Sequence, residues 1–453
     1  MGSHMTIHNK KAGHGPDIEA PDIIIEGGTL LTMVDGEAPL EKTSVFIKKD
    51  RIIDIRPSGT YLCPAGAEII NADKCIIMPG LVNSHCHTAM TLFRGYADDL
   101  PLKEWLFGKI FPAEAAHLNP ENVYWGALLG CLEMIASGTT SFIDGYFFQD
   151  ATMRAVHESG MRAIIGQGII DFPAPGISDP SENLTIGREF IERYLGFSEL
   201  ILPGLFCHSP VTCSERTLLS AMEISIKHSL PMQIHLSETL EEVDEIIKRT
   251  GKRPAVYLNG LGILNDNLIA AHAIHLDDEE MDLILRKGVR IVHLPESNMK
   301  LASGVARVPK MIKMGIRPGI GTDGCASNNN LDLFKEMDTA AKTGKVFTDN
   351  PVNMAAGTVI KMATSWGAGI MGLQRETGAI EKGRKADIIV IDADTPHMTP
   401  LYNPISSIVY SANGSDVKDV VVNGKILMKG RAFLTLDQEE IMARVTAISK
   451  GIK

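Results

Sequence analysis

Short apolar runs that alternate with helical segments are the feature of this chain that most constrains its fold. Eight such runs follow one another through the middle of the sequence: Ile76–His87, Thr139–Asp144, Arg162–Ile169, Leu200–His208, Pro231–His235, Leu268–His275, Arg290–Leu294 and Arg317–Asp323. The segments between them, such as Glu121–Ser137, Glu238–Thr250 and Glu279–Lys287, place charged residues opposite an apolar stripe, as amphipathic helices do. Continuous apolar strands that alternate with helices indicate a parallel sheet buried on both faces.

Eight strand–helix units in succession predict an α/β fold, a (β/α)8 TIM barrel of roughly 250–300 residues with insertions. The alternative is an open, doubly wound sheet. Dinucleotide-binding sheets of that kind carry a GxGxxG fingerprint after a strand, and none of the runs is followed by one. The sequence therefore favours the barrel.

Both ends of the chain have β character instead. Near the N-terminus, Ile23–Leu31 is an apolar strand with two glycines, and the runs Ser44–Ile47 and Arg51–Ile55 indicate a hairpin. Near the C-terminus, Ala386–Asp392 and Val420–Leu427 indicate strands punctuated by proline and Asn-Gly turns. The simplest assembly joins the two ends in one small β-sandwich beside the barrel.

These patterns predict a division of the chain into five parts. They are an expression-tag remnant and disordered N-terminus (1–15), the first part of a β-sandwich domain (20–76), the barrel (77–383), the second part of the β-sandwich domain (384–440) and a C-terminal helix or tail (441–453).

Composition excludes several other classes of protein. With 44 basic and 55 acidic residues the net charge is 44 − 55 = −11, which argues against a nucleic-acid partner bound through a basic face. No apolar run reaches the ~18–20 residues needed to span a bilayer, so no membrane association is expected. The seven cysteines are odd in number and form no CxxC pair, a pattern typical of a reduced cytoplasm rather than of a disulfide scaffold or zinc finger.

Polar residues end several of the apolar runs, at the place where barrel enzymes put their catalytic groups. The first run ends in His85-Cys86-His87, and side chains at i and i+2 of a strand point to the same face. Two imidazoles aimed at one point suit a divalent metal such as zinc. Taken alone, the pair is also compatible with two histidines that pack against loops.

Three other runs end in the same way. The fifth ends at His235 with Glu238 just beyond it, the sixth contains His272, and the eighth stops at Asp323. Packing alone does not account for four such strand ends, because burying polar or charged groups without partners is costly. Together they predict a metal site at the mouth of the barrel.

At this point the sequence resembles the amidohydrolase superfamily, specifically the branch of the methylthioadenosine/S-adenosylhomocysteine deaminases, the chlorohydrolases and the guanine deaminases. The resemblance covers nearly the whole chain. It is carried by the strings Met78–Met90, Arg94–Leu102, His208–Pro210, His235–Glu238, Thr322–Asn330 and Gly378–Asp387.

The resemblance implies that His85, His87, His235 and Asp323 bind one divalent metal. Zinc is the usual metal of this branch, with iron as the alternative. Binuclear relatives carry a bridging lysine at the end of the fourth strand, where this chain has Phe206-Cys207-His208, so we expect a mononuclear site. Relatives of this branch commonly self-associate, which implies a homo-oligomer.

The same resemblance implies acid–base roles for Glu238, His272 and Asp323. A divalent metal lowers the pKa of water from ~15.7 toward ~7, and Asp323 takes the proton of that water as it attacks. His272 orients the nucleophile and stabilises the tetrahedral intermediate. Glu238 moves a proton to the ring nitrogen and then to the leaving amine. We therefore expect a hydrolytic deaminase that acts on a small molecule, an aminated purine nucleoside of the adenosine, 5′-methylthioadenosine or S-adenosylhomocysteine type.

Four further residues are candidate substrate contacts, three of them implied by the resemblance to the deaminases. Trp105 and Glu114 match positions that contact base and ribose, although a tryptophan in such a helix is also compatible with core packing. His208 matches a substrate contact at the end of the fourth strand. Ser327 follows the metal aspartate and faces either the substrate or a helix N-terminus as its cap.

One departure bears on the substrate. The methylthioadenosine/S-adenosylhomocysteine deaminases use two arginines between strands three and four, one of them for the homocysteine carboxylate, and here Gln167 stands where the first is expected. A neutral substrate is therefore favoured. Two alternatives stay open: a guanine or s-triazine deaminase or chlorohydrolase with the same metal and water, and a catalytically inactive barrel that serves as a binding module.

Overall fold

The computed structural model describes residues 20–61 and 66–452. The predicted tag and disordered N-terminus lie outside these residues. Within them, no helix is both long enough and apolar enough to cross a membrane.

The strands, numbered along the chain, are β1 (Ile23–Leu30), β2 (Leu40–Lys48), β3 (Arg51–Pro57), β4 (Glu68–Asn71), β5 (Cys75–Pro79), β6 (Leu81–His87), β7 (Thr139–Tyr146), β8 (Arg162–Ile169), β9 (Ile201–Cys207), β10 (Met232–Leu236), β11 (Leu268–His272), β12 (Arg290–His293), β13 (Gly319–Ile320), β14 (Asp323–Gly324), β15 (Ile388–Asp392), β16 (Val417–Val422), β17 (Lys425–Lys429) and β18 (Ala432–Phe433). They form two sheets, each with nine strands.

The first sheet is the predicted barrel, and the fold class is confirmed. Its order is β13-β12-β11-β10-β9-β8-β7-β6-β14, and all of its pairings are parallel. Each of the eight apolar runs supplies a piece of this sheet. Because both faces are buried, these strands are apolar along nearly their whole length, which explains why they read as continuous runs.

The eighth run closes the barrel in two short pieces. β13 pairs with β12, whereas β14 pairs with β6, so the chain changes partner over Gly321-Thr322. The Asn83 side chain spans this gap: its Nδ2 donates to Thr322 Oγ1 at 2.8 Å and its Oδ1 accepts from the Thr322 amide at 3.1 Å. The last strand thereby reaches the first, with Asp323 at the seam.

The helices are α1 (Leu102–Trp105), α2 (Phe111–His117), α3 (Pro120–Ala136), α4 (Gln149–Ser159), α5 (Asn183–Tyr194), α6 (Glu215–His228), α7 (Leu240–Thr250), α8 (Pro254–Gly260), α9 (Asp278–Lys287), α10 (Pro295–Lys300), α11 (Val308–Met314), α12 (Cys325–Asn328), α13 (Leu333–Phe347), α14 (Ala356–Met362), α15 (Ser365–Ile370), α16 (Pro404–Tyr410) and α17 (Gln438–Ser449). The three helices predicted from amphipathic spacing are α3, α7 and α9. A π-helical turn, Leu106–Ile110, joins α1 to α2 above the barrel mouth.

The second sheet is built from both ends of the chain, as predicted. Its order is β18-β17-β16-β15-β5-β1-β2-β3, with β4 paired to β1. The apolar run Ile76–His87 was predicted as one strand, and this was wrong: β5 belongs to the terminal sheet and β6 to the barrel. Gly80 lies between them, where a side chain would collide with Thr140 at 2.1 Å.

A buried ion pair joins the two sheets. The Arg162 guanidinium on β8 donates to both carboxylate oxygens of Asp387, which precedes β15, at 2.8 and 3.2 Å. The amide of Asn423 donates to the same carboxylate at 2.7 Å. A guanidinium and a carboxylate that are both buried stabilise the fold only as a pair, because either one alone leaves an uncompensated charge.

Candidate active site

Four predicted residues converge at the carboxyl ends of the barrel strands. His85 and His87 end β6, His235 lies on β10, and Asp323 begins β14. One ligand atom of each lies within 4.8 Å of the corresponding atom of every other. Residues that are 238 positions apart at the extremes thus meet in one cluster, as the spacing of the runs predicted.

The neighbours of the two β6 histidines fix which ring nitrogen faces the cluster. His85 Nδ1 lies 3.3 Å from Gln233 Oε1, and His87 Nδ1 lies 2.5 Å from the Gly145 carbonyl oxygen. Both acceptors hold a proton on Nδ1, so Nε2 is the nitrogen of each ring that faces the cluster. The two Nε2 atoms lie 3.8 and 3.2 Å from Asp323 Oδ1.

Asp323 is oriented in a comparable way. Two hydroxyl groups donate to its Oδ2, Ser297 Oγ at 2.6 Å and Ser327 Oγ at 3.0 Å, so Oδ1 is left to face the imidazoles. Its φ of 62° lies in the left-handed region, which non-glycine residues seldom adopt. Such backbone strain is typical of sites where function decides the geometry.

The ionisation of three members of the cluster suits a cation. His87 differs: burial acts to lower its pKa, but the hydrogen bond with the Asp323 carboxylate outweighs burial and raises it. Burial lowers the pKa of His85 to about 3 and the pKa of His235 well below its ordinary value, so both rings are neutral at neutral pH. Burial acts to raise the pKa of Asp323, but the hydrogen bond with His87 and the surrounding imidazoles outweigh it and hold that pKa well below its usual range. Three imidazole nitrogens and one carboxylate oxygen form a donor set that fits a divalent transition metal such as zinc.

Glu238 and His272 lie beside the cluster, as predicted. His272 Nε2 is 3.6 Å from Glu238 Oε2, and the His272 and His235 ring centroids are 5.2 Å apart. Ser303 Oγ donates to Glu238 Oε1 at 3.3 Å. Burial is the main reason that the pKa of Glu238 is raised, which favours the protonated acid needed for proton delivery.

A carboxylate outside the cluster holds the turn that carries Glu238. The oxygens of Glu242 accept the backbone N–H groups of Ser237, at 3.1 Å, and of Glu238, at 2.8 Å. Ser237 has a φ of 51°, so this strand end bends sharply. The two hydrogen bonds stabilise a bend that turns the Glu238 side chain toward the cavity.

The cluster forms the floor of a two-chambered cavity. Trp105, Glu114, His208 and Ser327 all line the inner chamber, together with Glu238, His272, Asp323 and the aromatic side chains Phe111, Tyr146 and Phe206. The outer chamber has a volume of about 930 Å³ and opens between the α1 segment and the start of α7. All four candidate substrate contacts therefore face the same space.

These four residues have different surroundings. The Tyr146 hydroxyl donates to Glu114 Oε1 at 2.5 Å, and burial nevertheless raises the pKa of Glu114 to about 7. Trp105 is buried, and its indole N–H has no hydrogen-bond partner within the described part of the chain. Ser327 lies inside α12 rather than at its start, so the helix-cap alternative is wrong, and α13 is capped by Asp332 instead.

Sequence reasoning missed three residues that orient side chains of the site: Gln233, Ser297 and Asn298. Gln233 lies two positions before His235, so strand periodicity gave a signal that it faces the same side. Ser297 and Asn298 lie on α10 and left no such signal. Gln167 is buried with its amide donating to the Gly168 carbonyl oxygen at 3.3 Å, and it does not line the cavity.

Comparison with known proteins gives three kinds of match. Residues 76–427 match the profile of the Amidohydrolase family. The 5-methylthioadenosine/S-adenosylhomocysteine deaminase 1 of Syntrophus aciditrophicus is 45% identical over 96% of this chain and 98% of its own length. The 5′-deoxyadenosine deaminase of Methanosarcina mazei is 43% identical over 93% of this chain and 96% of its own.

Two solved structures superpose closely on this chain. An adenosine deaminase from Xanthomonas campestris, with bound zinc, is 34% identical and superposes with a TM-score of 0.93 over 96% of this chain and 99% of its own. An atrazine chlorohydrolase from Arthrobacter aurescens superposes with a TM-score of 0.88 over 94% of this chain and 100% of its own, and at 23% identity it shows the fold alone.

Proposed function

Because this chain belongs to the amidohydrolase family, we propose that it is a metal-dependent hydrolase that removes the exocyclic amino group of an aminated purine nucleoside and releases ammonia. The observation that carries the proposal is the joint placement of a four-residue donor cluster and two acid–base side chains, Glu238 and His272, in the wall of one cavity. Relatives named as deaminases of 5-methylthioadenosine/S-adenosylhomocysteine and of 5′-deoxyadenosine support the substrate class.

The residues of the cluster would hold one divalent metal, which we propose to be zinc because the related adenosine deaminase contains it. When bound, such a metal lowers the pKa of a water molecule and supplies a hydroxide nucleophile at neutral pH. Phe206 supports a single ion: its ring centroid lies 5.5 Å from that of His87 and 5.1 Å from that of His235, so an apolar side chain from the end of β9 lies beside the cluster and no lysine of the described residues does.

The acid–base side chains supply the proton transfers. Asp323 accepts a proton as water attacks the carbon that carries the amino group. Glu238 delivers its proton to the neighbouring ring nitrogen, takes the remaining proton of the attacking oxygen and passes that proton to the amine, which leaves poorly unless it is protonated. The proton held by Asp323 then restores the acid form of Glu238. His272 lies between Glu238 and the cluster, where its Nε2 accepts a hydrogen bond from the attacking water and orients that water toward the carbon.

The inner chamber supplies binding groups for a nucleoside. We propose that the Glu114 carboxylate accepts hydrogen bonds from ribose hydroxyls and that the indole N–H of Trp105 donates to the substrate. His208 closes the other side; its Nδ1 is held by Thr212 Oγ1 at 2.9 Å, and its ring packs against Phe111 with centroids 5.8 Å apart. Ser327 both lines the chamber and orients Asp323.

Ammonia release from a substrate panel tests the proposal. The panel contains adenosine, 5′-deoxyadenosine, 5′-methylthioadenosine, S-adenosylhomocysteine and guanine, and each is assayed before and after the metal is removed with a chelator and restored with zinc. We expect ammonia from adenine nucleosides, lost on chelation and recovered with the metal. Activity that survives complete removal of the metal would refute the mechanism, and guanine as the best substrate would refute the substrate class.

Two variants sharpen that assay. Glu238→Gln keeps the size of the side chain but cannot act as an acid, so we expect kcat to fall by about 10²–10⁴ while the metal content stays the same. Glu279→Gln on α9, which is exposed and remote from the cavity, is the matched control and should keep wild-type kcat. Equal activity of the two variants would remove Glu238 from the mechanism.

A further inference from the structure

A single short helix orients two separate groups of the site. Ser297 and Asn298 are adjacent on α10, and both are buried. Ser297 Oγ donates to Asp323 Oδ2, whereas Asn298 Oδ1 lies 2.8 Å from His272 Nδ1. One dipeptide thus contacts side chains that come from two different strands, β11 and β14.

The main chain around Asn298 is firmly anchored. Its N–H donates to the Leu294 carbonyl oxygen at 3.0 Å, and its carbonyl oxygen accepts from the Ser303 amide at 2.9 Å. At the start of α10, the Glu296 amide donates to Glu336 Oε2 at 3.1 Å, which ties the helix to α13. The amide group of Asn298 is therefore presented to His272 from a rigid support.

We infer that Asn298 is a positioning residue that fixes the tautomer of His272, accepting its Nδ1–H so that the Nε2 lone pair faces the reaction centre. A neutral imidazole carries one N–H, and the atom that accepts it decides which nitrogen holds the proton. With Nδ1 protonated, the Nε2 lone pair is free to accept a hydrogen bond from the attacking water. The role of Nε2 toward the attacking water rests on the proposed function. The tautomer of His272 does not, because it depends only on the contacts of His272 within the protein.

The opposite arrangement is chemically distinct. If the amide of Asn298 were reversed, Nδ2 would donate to Nδ1, and His272 would present Nε2–H to the site. Asn298 Nδ2 has no hydrogen-bond partner among the described residues, so no other contact of the amide competes with its role toward His272. The two arrangements predict opposite responses to an isosteric substitution, because aspartate accepts hydrogen bonds but does not donate them.

The kinetics of Asn298→Asp and Asn298→Ala distinguish the two orientations of the Asn298 amide. If Asn298 accepts, Asn298→Asp keeps kcat within about 10-fold of wild type, whereas Asn298→Ala loses about 10–100-fold, the usual cost of removing a residue that orients a metal-site histidine. KM and metal content should stay unchanged in both, because Asn298 does not line the cavity. Rescue by aspartate but not by alanine is a pattern that a merely structural role would not give.

A second measurement needs no turnover and reads the wild-type protein directly. Nitrogen-15 NMR of histidine-labelled wild-type protein distinguishes protonated Nδ1 from protonated Nε2, with His272 assigned by the signal missing in His272→Gln. We expect protonated Nδ1. Protonated Nε2, or an Asn298→Asp variant as inactive as Asn298→Ala with full metal content, would overturn the inference. Because the spectrum is recorded without substrate, it stands even if the substrate panel shows no deaminase activity.

Discussion

Replacing Glu114 by glutamine should change how the stability of the protein depends on pH. Glu114 is fully enclosed on α2, and within residues 20–61 and 66–452 its carboxyl has one hydrogen bond, from the Tyr146 hydroxyl at 2.5 Å. Burial disfavours the charged form and raises the pKa of this carboxyl from the ordinary 4.5 to about 7, although the hydrogen bond from Tyr146 acts in the opposite direction.

The sign of the effect follows from proton binding. Between pH 4.5 and 7 the carboxyl of the unfolded chain is ionised, whereas that of the folded protein still holds its proton. Stability therefore falls as pH rises through this window, by about 1.4 kcal/mol for each pH unit, and it levels off once the folded protein ionises. The total is about 3 kcal/mol, and Glu114→Gln abolishes it because an amide does not titrate.

Urea unfolding of metal-free wild type and Glu114→Gln at pH 5 and pH 8 measures this difference. We expect the variant to gain about 2–3 kcal/mol relative to wild type between the two pH values. Glu104→Gln, an exposed neighbour on α1, is the control and should show no such gain. Tyr146→Phe removes the opposing hydrogen bond, so it should raise the pKa of Glu114 further and extend the pH range over which stability falls to higher pH. A pH-independent difference between Glu114→Gln and wild type would show that the carboxyl ionises normally in the folded protein.

Three further substitutions test the supports of the site and of the fold. Ser297→Ala should weaken metal binding by about 10–100-fold, measured by competition with a chromophoric chelator, because Asp323 loses its shortest hydrogen bond; unchanged affinity would contradict this. Asp387→Ala should cost about 3–5 kcal/mol in urea unfolding because it leaves the Arg162 guanidinium buried alone, and a loss below 1 kcal/mol would mean that water reaches it. Gly321→Ala places a Cβ 2.7 Å from a β6 carbonyl oxygen, so both the thermal midpoint and the metal content should fall; wild-type values would show that the seam can open.

Periodicity and residue type predicted most of the architecture. Barrel strands buried on both faces are apolar along their length, and helices between them are amphipathic, so the alternation was visible without any alignment. The metal cluster was predictable for a related reason. In a barrel every strand end opens on the same face, so polar residues at the ends of β6, β10, β11 and β14 had to be neighbours once the fold was assumed.

The same reasoning failed where the sheet that a strand joins, or the residue that a side chain contacts, is decided only by the folded structure. The run Ile76–His87 is apolar throughout, because β5 and β6 are buried in different sheets, and nothing in its hydropathy marks the change. Ser297 and Asn298 lie on a helix that has fewer than two turns, beyond the end of β12. Their side chains reach residues of other strands, and a linear pattern contains no record of those distances.

The split closing strand explains why fold and site are coupled. β14 has only two residues, and its pairing with β6 contributes few backbone hydrogen bonds to the barrel. Asp323 compensates by facing His85 and His87 of the same strand pair, and Asn83 bridges the neighbouring gap. Four buried polar groups at a seam are stable only when each has a partner. A cation shared between the two strands would supply that partner, so the donor cluster is also the part of the barrel whose closure depends most on what it binds.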